Sequence, residues 1–176
     1  GTVLYAAIED LCRLTLPQDH GSLPRAPFAA VELRPAPGRH VRWRSAQRLS
    51  GKAVVSFNWA QYAIAALAPE TTVSFDGRFR TCYPQQVIDK NFDFLLGEHK
   101  GRRFRHPDSG PIDPVAVLEL GDPDLVLIDR GFKHAAAVMR DQAQGDSPVW
   151  TLLYQDGIAQ LWGRTSRYEN PQSPAY

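Results

Sequence analysis

Apolar and polar positions change period several times along the chain, and each change marks an element. Val3, Ala6, Ala7, Leu11 and Leu14 fall at helical spacing and predict a short amphipathic helix over residues 3–14. Residues 17–27 are rich in Pro, Gly and polar side chains and read as a loop. Residues 28–34 and 40–44 alternate imperfectly around Pro35-Ala36-Pro37-Gly38, which suits a hairpin of two short strands. The pattern sharpens from residue 52. Residues 52–57 form an apolar run after Gly51, suited to a buried strand. Residues 60–67 are apolar nearly all round, predicting a covered helix that Pro69 ends. Residues 71–75 alternate and are β-branched, a second strand. Pro84 opens a helix that runs to Leu96 before Gly97.

Residues 97–111 are polar and basic and predict a loop. Asp113-Pro114 reads as N-cap and first position of a helix reaching Leu120. Residues 124–128 are a third buried strand, and 132–142 a helix broken by Gly145 and Pro148. Two apolar runs, 149–154 and 158–162, flank Asp156-Gly157, the strongest hairpin signal in the chain. Helices between strands demand parallel pairing, whereas the final hairpin is antiparallel. The expected fold is therefore α/β: a mixed, mostly parallel, Rossmann-like sheet flanked by helices, with a C-terminal antiparallel hairpin. The expected division is residues 1–51 packed on the main domain, an α/β domain over 52–164, and a polar tail over 165–176.

Composition narrows the class without naming a function. The 176 residues are 43% hydrophobic, enough for a core, and the net charge of +1 argues against a dedicated nucleic-acid binder. No apolar run approaches the ~20 residues of a membrane helix. The chain opens Gly1-Thr2-Val3 without an initiator methionine or signal peptide, so it is expected to be a piece of a longer protein, with a residue left from tagging. Cys12 and Cys82 are too few for a disulfide scaffold.

Ligands of open α/β sheets sit beyond the carboxyl ends of the strands. Polar residues fall there three times: Asn58 and Trp59 after the first strand, Asp76-Gly77-Arg78 after the second, Asp129 and Arg130 after the third. Asp76 and Arg78 suit either a structural ion pair or a polar ligand, and the structural reading is the more economical. Trp59, with Tyr62 one helical turn on, is a candidate stacking platform for a sugar ring. Arg102, Arg103, Arg105 and His106, with Lys100, form a compact basic loop suited to solvent or to lipid phosphates. Asp122-Pro123-Asp124 is formally an Asp-x-Asp, but it precedes a strand, where it caps and turns. The five histidines are dispersed. No Gly-rich phosphate loop, nucleophile elbow or His-Glu-x-x-His helix is present, so no metal or cofactor is expected.

Taken in order, Val54-Val55-Ser56-Phe57-Asn58-Trp59-Ala60-Gln61-Tyr62, Val73-Ser74-Phe75-Asp76-Gly77-Arg78, Leu125-Val126-Leu127-Ile128-Asp129-Arg130 and the hairpin from Trp150 to Trp162 form a recognisable set. The set resembles the soluble C-terminal domain of bacterial polytopic membrane proteins related to dolichyl-phosphate-mannose-type and other lipid-linked-sugar glycosyltransferases. The resemblance spans residues 52–164; the first 50 depart from the helix that usually leads into the first strand. It implies a periplasmic or extracellular location, on a membrane-anchored protein. It also implies that the membrane-embedded portion of the same polypeptide is a partner, with lipid-linked sugar or phospholipid head groups as further contacts. The family's catalytic acid lies in the membrane part, so Asp76 and Arg78 carry over as motif residues and no catalytic residue is expected here. In an oxidising periplasm Cys12 and Cys82 have the opportunity to pair.

The leading expectation is a non-catalytic periplasmic accessory domain that shapes a substrate face or docks partners. One alternative is a small-molecule enzyme with its site at the strand carboxyl ends. The other is a carbohydrate or anionic-polymer binding module.

Overall fold

A computed structural model describes residues 49–98 and 105–169. The helix expected over 3–14, the hairpin over 28–34 and 40–44, and the tail beyond 169 lie outside the described residues. The described chain runs β1 (Gly51–Val55), α1 (Ala60–Leu67), β2 (Thr71–Val73), α2 (Gln85–Leu96), α3 (Ala116–Glu119), β3 (Leu125–Asp129), α4 (Lys133–Gln142), β4 (Trp150–Gln155), β5 (Ala159–Arg164) and α5 (Thr165–Tyr168). The strands form one sheet in the order β2-β1-β3-β5-β4. β1 pairs in parallel with both β2 and β3, and β5 runs antiparallel between β3 and β4. β1 to β4 therefore point one way and β5 alone returns. This is the α/β, Rossmann-like arrangement expected from the sequence.

Each face of the sheet buries one set of alternating residues. Ala53, Val55, Leu125, Leu127, Ala159 and Leu161 face α1 with Trp59, Ala60, Ala63 and Leu67. Val54, Val126, Ile128, Trp150 and Trp162 face α2, α3 and α4 through Phe94, Leu95, Val117, Leu118, Ala135 and Met139. The two clusters explain why the short apolar runs are strands: residues 53–55 of β1 and 125–128 of β3 are covered on both sides and are apolar throughout.

Where local expectation and structure differ, side chains account for the difference. The helix expected to start at Asp113-Pro114 is confined to Ala116–Glu119, and the Asp113 carboxylate accepts the Val115 N–H at 3.0 Å in the turn that leads into it. β2 ends at Val73, after which Phe75 and Asp76 enter the core, both about 1% exposed or less. The polar tail begins later than residue 165. Tyr168 is buried and lies against Gly163, where a Cβ would stand 2.5 Å from its ring. Arg167 joins α5 to the start of the sheet, through Asp124 at 2.7 Å and Ser50 Oγ at 2.7 Å.

Candidate ligand-binding edge

β1 continues to β2 on one side and is flanked by β3 on the other, so the order reverses at β1, and in open α/β sheets such a reversal places the crevice for a ligand between the carboxyl ends, here those of β1 and β3. Two residues far apart in sequence meet there. The fully buried Ser56 accepts the Asp129 N–H on its Oγ at 2.8 Å, which fixes the end of β3 against the end of β1. The Asp129 carboxylate accepts the Gly131 N–H at 2.7 Å and the Asn58 side-chain amide at 2.9 Å. Asn58 and Asp129 thus bridge the crevice at its solvent side. A carboxylate offers about four acceptor positions, so Asp129 retains capacity for ligand hydroxyls.

Arg130 follows Asp129 but does not pair with it. Its guanidinium donates to the Asp156 carbonyl, and its N–H donates to the Ile158 carbonyl at 2.7 Å, which ties the β4–β5 turn to the edge. The Asp156 carboxylate is engaged by the Ile158 and Ala159 N–H groups and by the Tyr154 hydroxyl. Two further exposed cations stand on this side, Arg80 in the loop after β2 and Lys133 at the start of α4.

Asp76 is an anchor rather than a ligand-facing group. Its side chain is 1% exposed and accepts from the Arg78 N–H at 2.8 Å, from Arg78 Nε at 3.0 Å and Nη2 at 2.6 Å, and from the Tyr83 hydroxyl at 2.9 Å. The Arg78 hydrogen bonds come first among the causes that hold its pKa at about 2. A carboxyl whose pKa falls on folding stabilises the fold above its unfolded value and loses that contribution as pH drops through the folded value. Asp76→Ala is therefore expected to lower the melting temperature at pH 7, at a cost of roughly 1–3 kcal/mol. The two melting curves should approach one another between pH 4 and pH 2. A gap unchanged across that range would remove the charge-based explanation.

Around this clasp the loop from 76 to 83 is held by aromatic packing: Phe79 stacks on Phe92 at 5.9 Å and lies 4.6 Å from Phe57.

Several sequence candidates occupy other places. Trp59, expected as a stacking platform, is 3% exposed and belongs to the core on the α1 face, because it immediately precedes α1 and turns inward with Ala60 and Ala63. Tyr62, on the outer side of the same helix, is 47% exposed. Arg105, expected as a lipid or anion contact, turns into the protein. Its guanidinium reaches the buried Asp93 at 3.2 Å and donates to the carbonyls of Ser109, Gly110 and Pro111. Beside it, Asp89 accepts from the His106 N–H, the Ser109 hydroxyl and Gln85. Burial alone would raise the Asp89 pKa, and these hydrogen bonds outweigh it and hold the carboxyl below its ordinary value. Asp122 and Asp124 likewise pair with Arg164 and Arg167.

Arg102, Arg103 and Cys12 lie outside the described residues, and with Cys12 any pairing to Cys82, which is exposed. Sequence reasoning missed the contribution of Ser56, Tyr83 and Asp156. The Asp-Gly turn was the one local signal that pointed to Asp156. Among the described residues no group of three or more His, Cys, Asp or Glu side chains is placed to hold a metal, and no helix is long and apolar enough to cross a membrane. Comparison with protein-family models, with curated proteins and with solved structures returned no match.

Proposed function

We propose that the chain is a non-catalytic, extracytoplasmic accessory domain of a multi-pass membrane glycosyltransferase-like protein, presenting an edge that holds a hydroxyl-rich, anionic ligand such as a lipid-linked sugar. The observation that carries the binding part is the Asn58–Asp129 bridge between the carboxyl ends of β1 and β3, with Arg130 next in the chain and Lys133 opening α4. The bridge offers donors and acceptors to sugar hydroxyls, and the cations offer charge to a phosphate. The accessory role draws on the ordered resemblance of residues 52–164. It is supported by the state of the carboxylates: Asp76 is locked to Arg78 and Asp156 to its own turn, whereas sugar hydrolysis commonly uses two working carboxyl groups some 5–10 Å apart. In this reading the membrane-embedded portion of the same polypeptide supplies the chemistry.

The test is a titration of the purified chain with methyl hexosides, glycosyl phosphates and short-chain polyprenyl-phosphate sugars, followed by amide NMR. Shifts are expected at Asn58, Asp129 and Gly131, strongest for the phosphorylated sugars. Asp129→Ala should weaken binding about tenfold, equivalent to about 1.4 kcal/mol. Turnover of any of these compounds, or of nucleotide sugars and chromogenic glycosides, that disappears in Asp129→Asn would replace this reading with that of an enzyme.

A further inference from the structure

β1 and β3 pair in parallel from Ala53 opposite Leu125 to Val55 opposite Leu127, and the Ser56 N–H then donates to the Leu127 carbonyl at 2.9 Å. Bonds to a neighbouring strand fall on alternate residues, so the next position of β3 to reach β1 is Asp129. In a regular parallel ladder its N–H would go to the Ser56 carbonyl. That carbonyl is taken. It accepts the Trp59 N–H at 2.8 Å, in the turn that carries the chain out of β1 and into α1. The Asp129 N–H goes to Ser56 Oγ instead, at 2.8 Å. One residue thus closes the ladder with its side chain and starts the turn with its main chain. Ser56 is fully buried, so water is poorly placed to stand in for the hydroxyl.

We propose that Ser56 is the positioning residue of the ligand edge: its hydroxyl holds the end of β3 at the height where the Asp129 carboxylate meets Asn58. The proposal rests on the reading of that edge as a ligand site and names the buried group that preorganises it. Asn58 follows Ser56 by two residues, and its amide donates to Asp129 at 2.9 Å. Both ties from β1 to Asp129 therefore leave the short segment 56–58, and the hydroxyl is the inner one. Without it the end of β3 is free to slip, and a slip of well under 1 Å takes a 2.9 Å contact out of hydrogen-bonding range. The residue type follows from the geometry. To replace the carbonyl of its own residue the acceptor must sit one bond beyond Cβ; alanine has none there, and cysteine offers only a weakly accepting sulfur.

The test reads the Asn58 side-chain amide by NMR with no ligand present. In Ser56→Ala its signal is expected to leave the parent position for the one it takes in Asp129→Ala, where the bridge has lost its acceptor. Val55→Ala thins the core one position earlier and keeps the Ser56 hydroxyl, so it is expected to lower the melting temperature and leave the signal in place. An unmoved signal in Ser56→Ala overturns the proposal. A signal that moves as far in Val55→Ala also overturns it, because the bridge then answers to packing alone. Should Ser56→Ala fail to fold, hydrogen exchange of the unaltered chain decides. The Asp129 N–H is expected to be protected like the other N–H groups of the β1–β3 ladder, and rapid exchange there overturns the proposal. With glucose 1-phosphate as probe, Ser56→Ala should raise Kd about tenfold, as Asp129→Ala does, with Val55→Ala near the parent value. A parent chain that does not bind this probe tells against the ligand-site reading, and the Asn58 signal still decides the placement. Unchanged affinity in Ser56→Ala beside weakened affinity in Asp129→Ala overturns the positioning role.

Discussion

Gly51→Ala is expected to cost roughly 4 kcal/mol or more, a large part of the 5–15 kcal/mol that holds a typical domain folded. Gly51 has φ +112, a conformation nearly closed to residues with a Cβ, and that strain alone costs about 1–3 kcal/mol. The added Cβ would also stand 2.0 Å from Asp124 Oδ2 and 2.7 Å from Arg167 Nη1. That carboxylate accepts the Lys52 N–H at 2.9 Å and pairs with Arg167, so its displacement would loosen β1, β3 and α5 together. Urea unfolding checks the size of the effect. A double-mutant cycle checks its cause: in an Asp124→Ala background the cost of Gly51→Ala should fall toward the backbone strain alone. Strict additivity would show that the clash with Asp124 is not responsible.

The second large effect is expected at Arg105. Arg105→Met would take the guanidinium away from Asp93, 3% exposed, and from the three carbonyls to which it donates. Breaking one partner of a buried pair typically costs about 3–5 kcal/mol. Thermal melts should therefore show Arg105→Met among the least stable variants, and hydrogen exchange should rise across residues 105–111. Arg105→Lys should recover little, because a single ammonium lacks the planar five-donor fork that reaches a carboxylate and three carbonyls at once. Asp93→Leu combined with Arg105→Met should be more stable than Arg105→Met alone, since the buried carboxylate that lost the guanidinium is gone. If the double variant is the weaker, the pair is worth more than its desolvation costs.

Arg105 and Asp129 show where reading a sequence locally stops. Arg105 sits in a run of basic residues that composition alone assigns to solvent or to an anionic surface. What turns it inward is Asp93, buried on α2 because that position faces the returning loop. Asp129 has Arg130 beside it in the chain, yet its partner is Asn58, 71 positions away. In a strand, successive side chains point to opposite faces, so the nearest neighbour in sequence is a poor guide to the nearest partner in space. Trp59 repeats the lesson: at a strand end it looked available, and the first turn of α1 rotates it into the core.

The sequence by itself determined the elements and their class. Apolar runs at 53–55 and 125–128, the nearly all-apolar segment 60–67, Pro84 and Gly97 bounding a helix, and Asp156-Gly157 between two apolar strands each act over a few residues, through sterics and side-chain period. Those are short-range causes, and one chain is enough to read them. The tertiary structure alone decided which strands lie side by side, and with that the reversal of the order at β1. It decided too that Asp129 meets Asn58, and that Gly51 must admit the Asp124 carboxylate. These depend on contacts between segments some 70 residues apart, whose free energy is set by burial and by pairing across the sheet, and no local pattern encodes them.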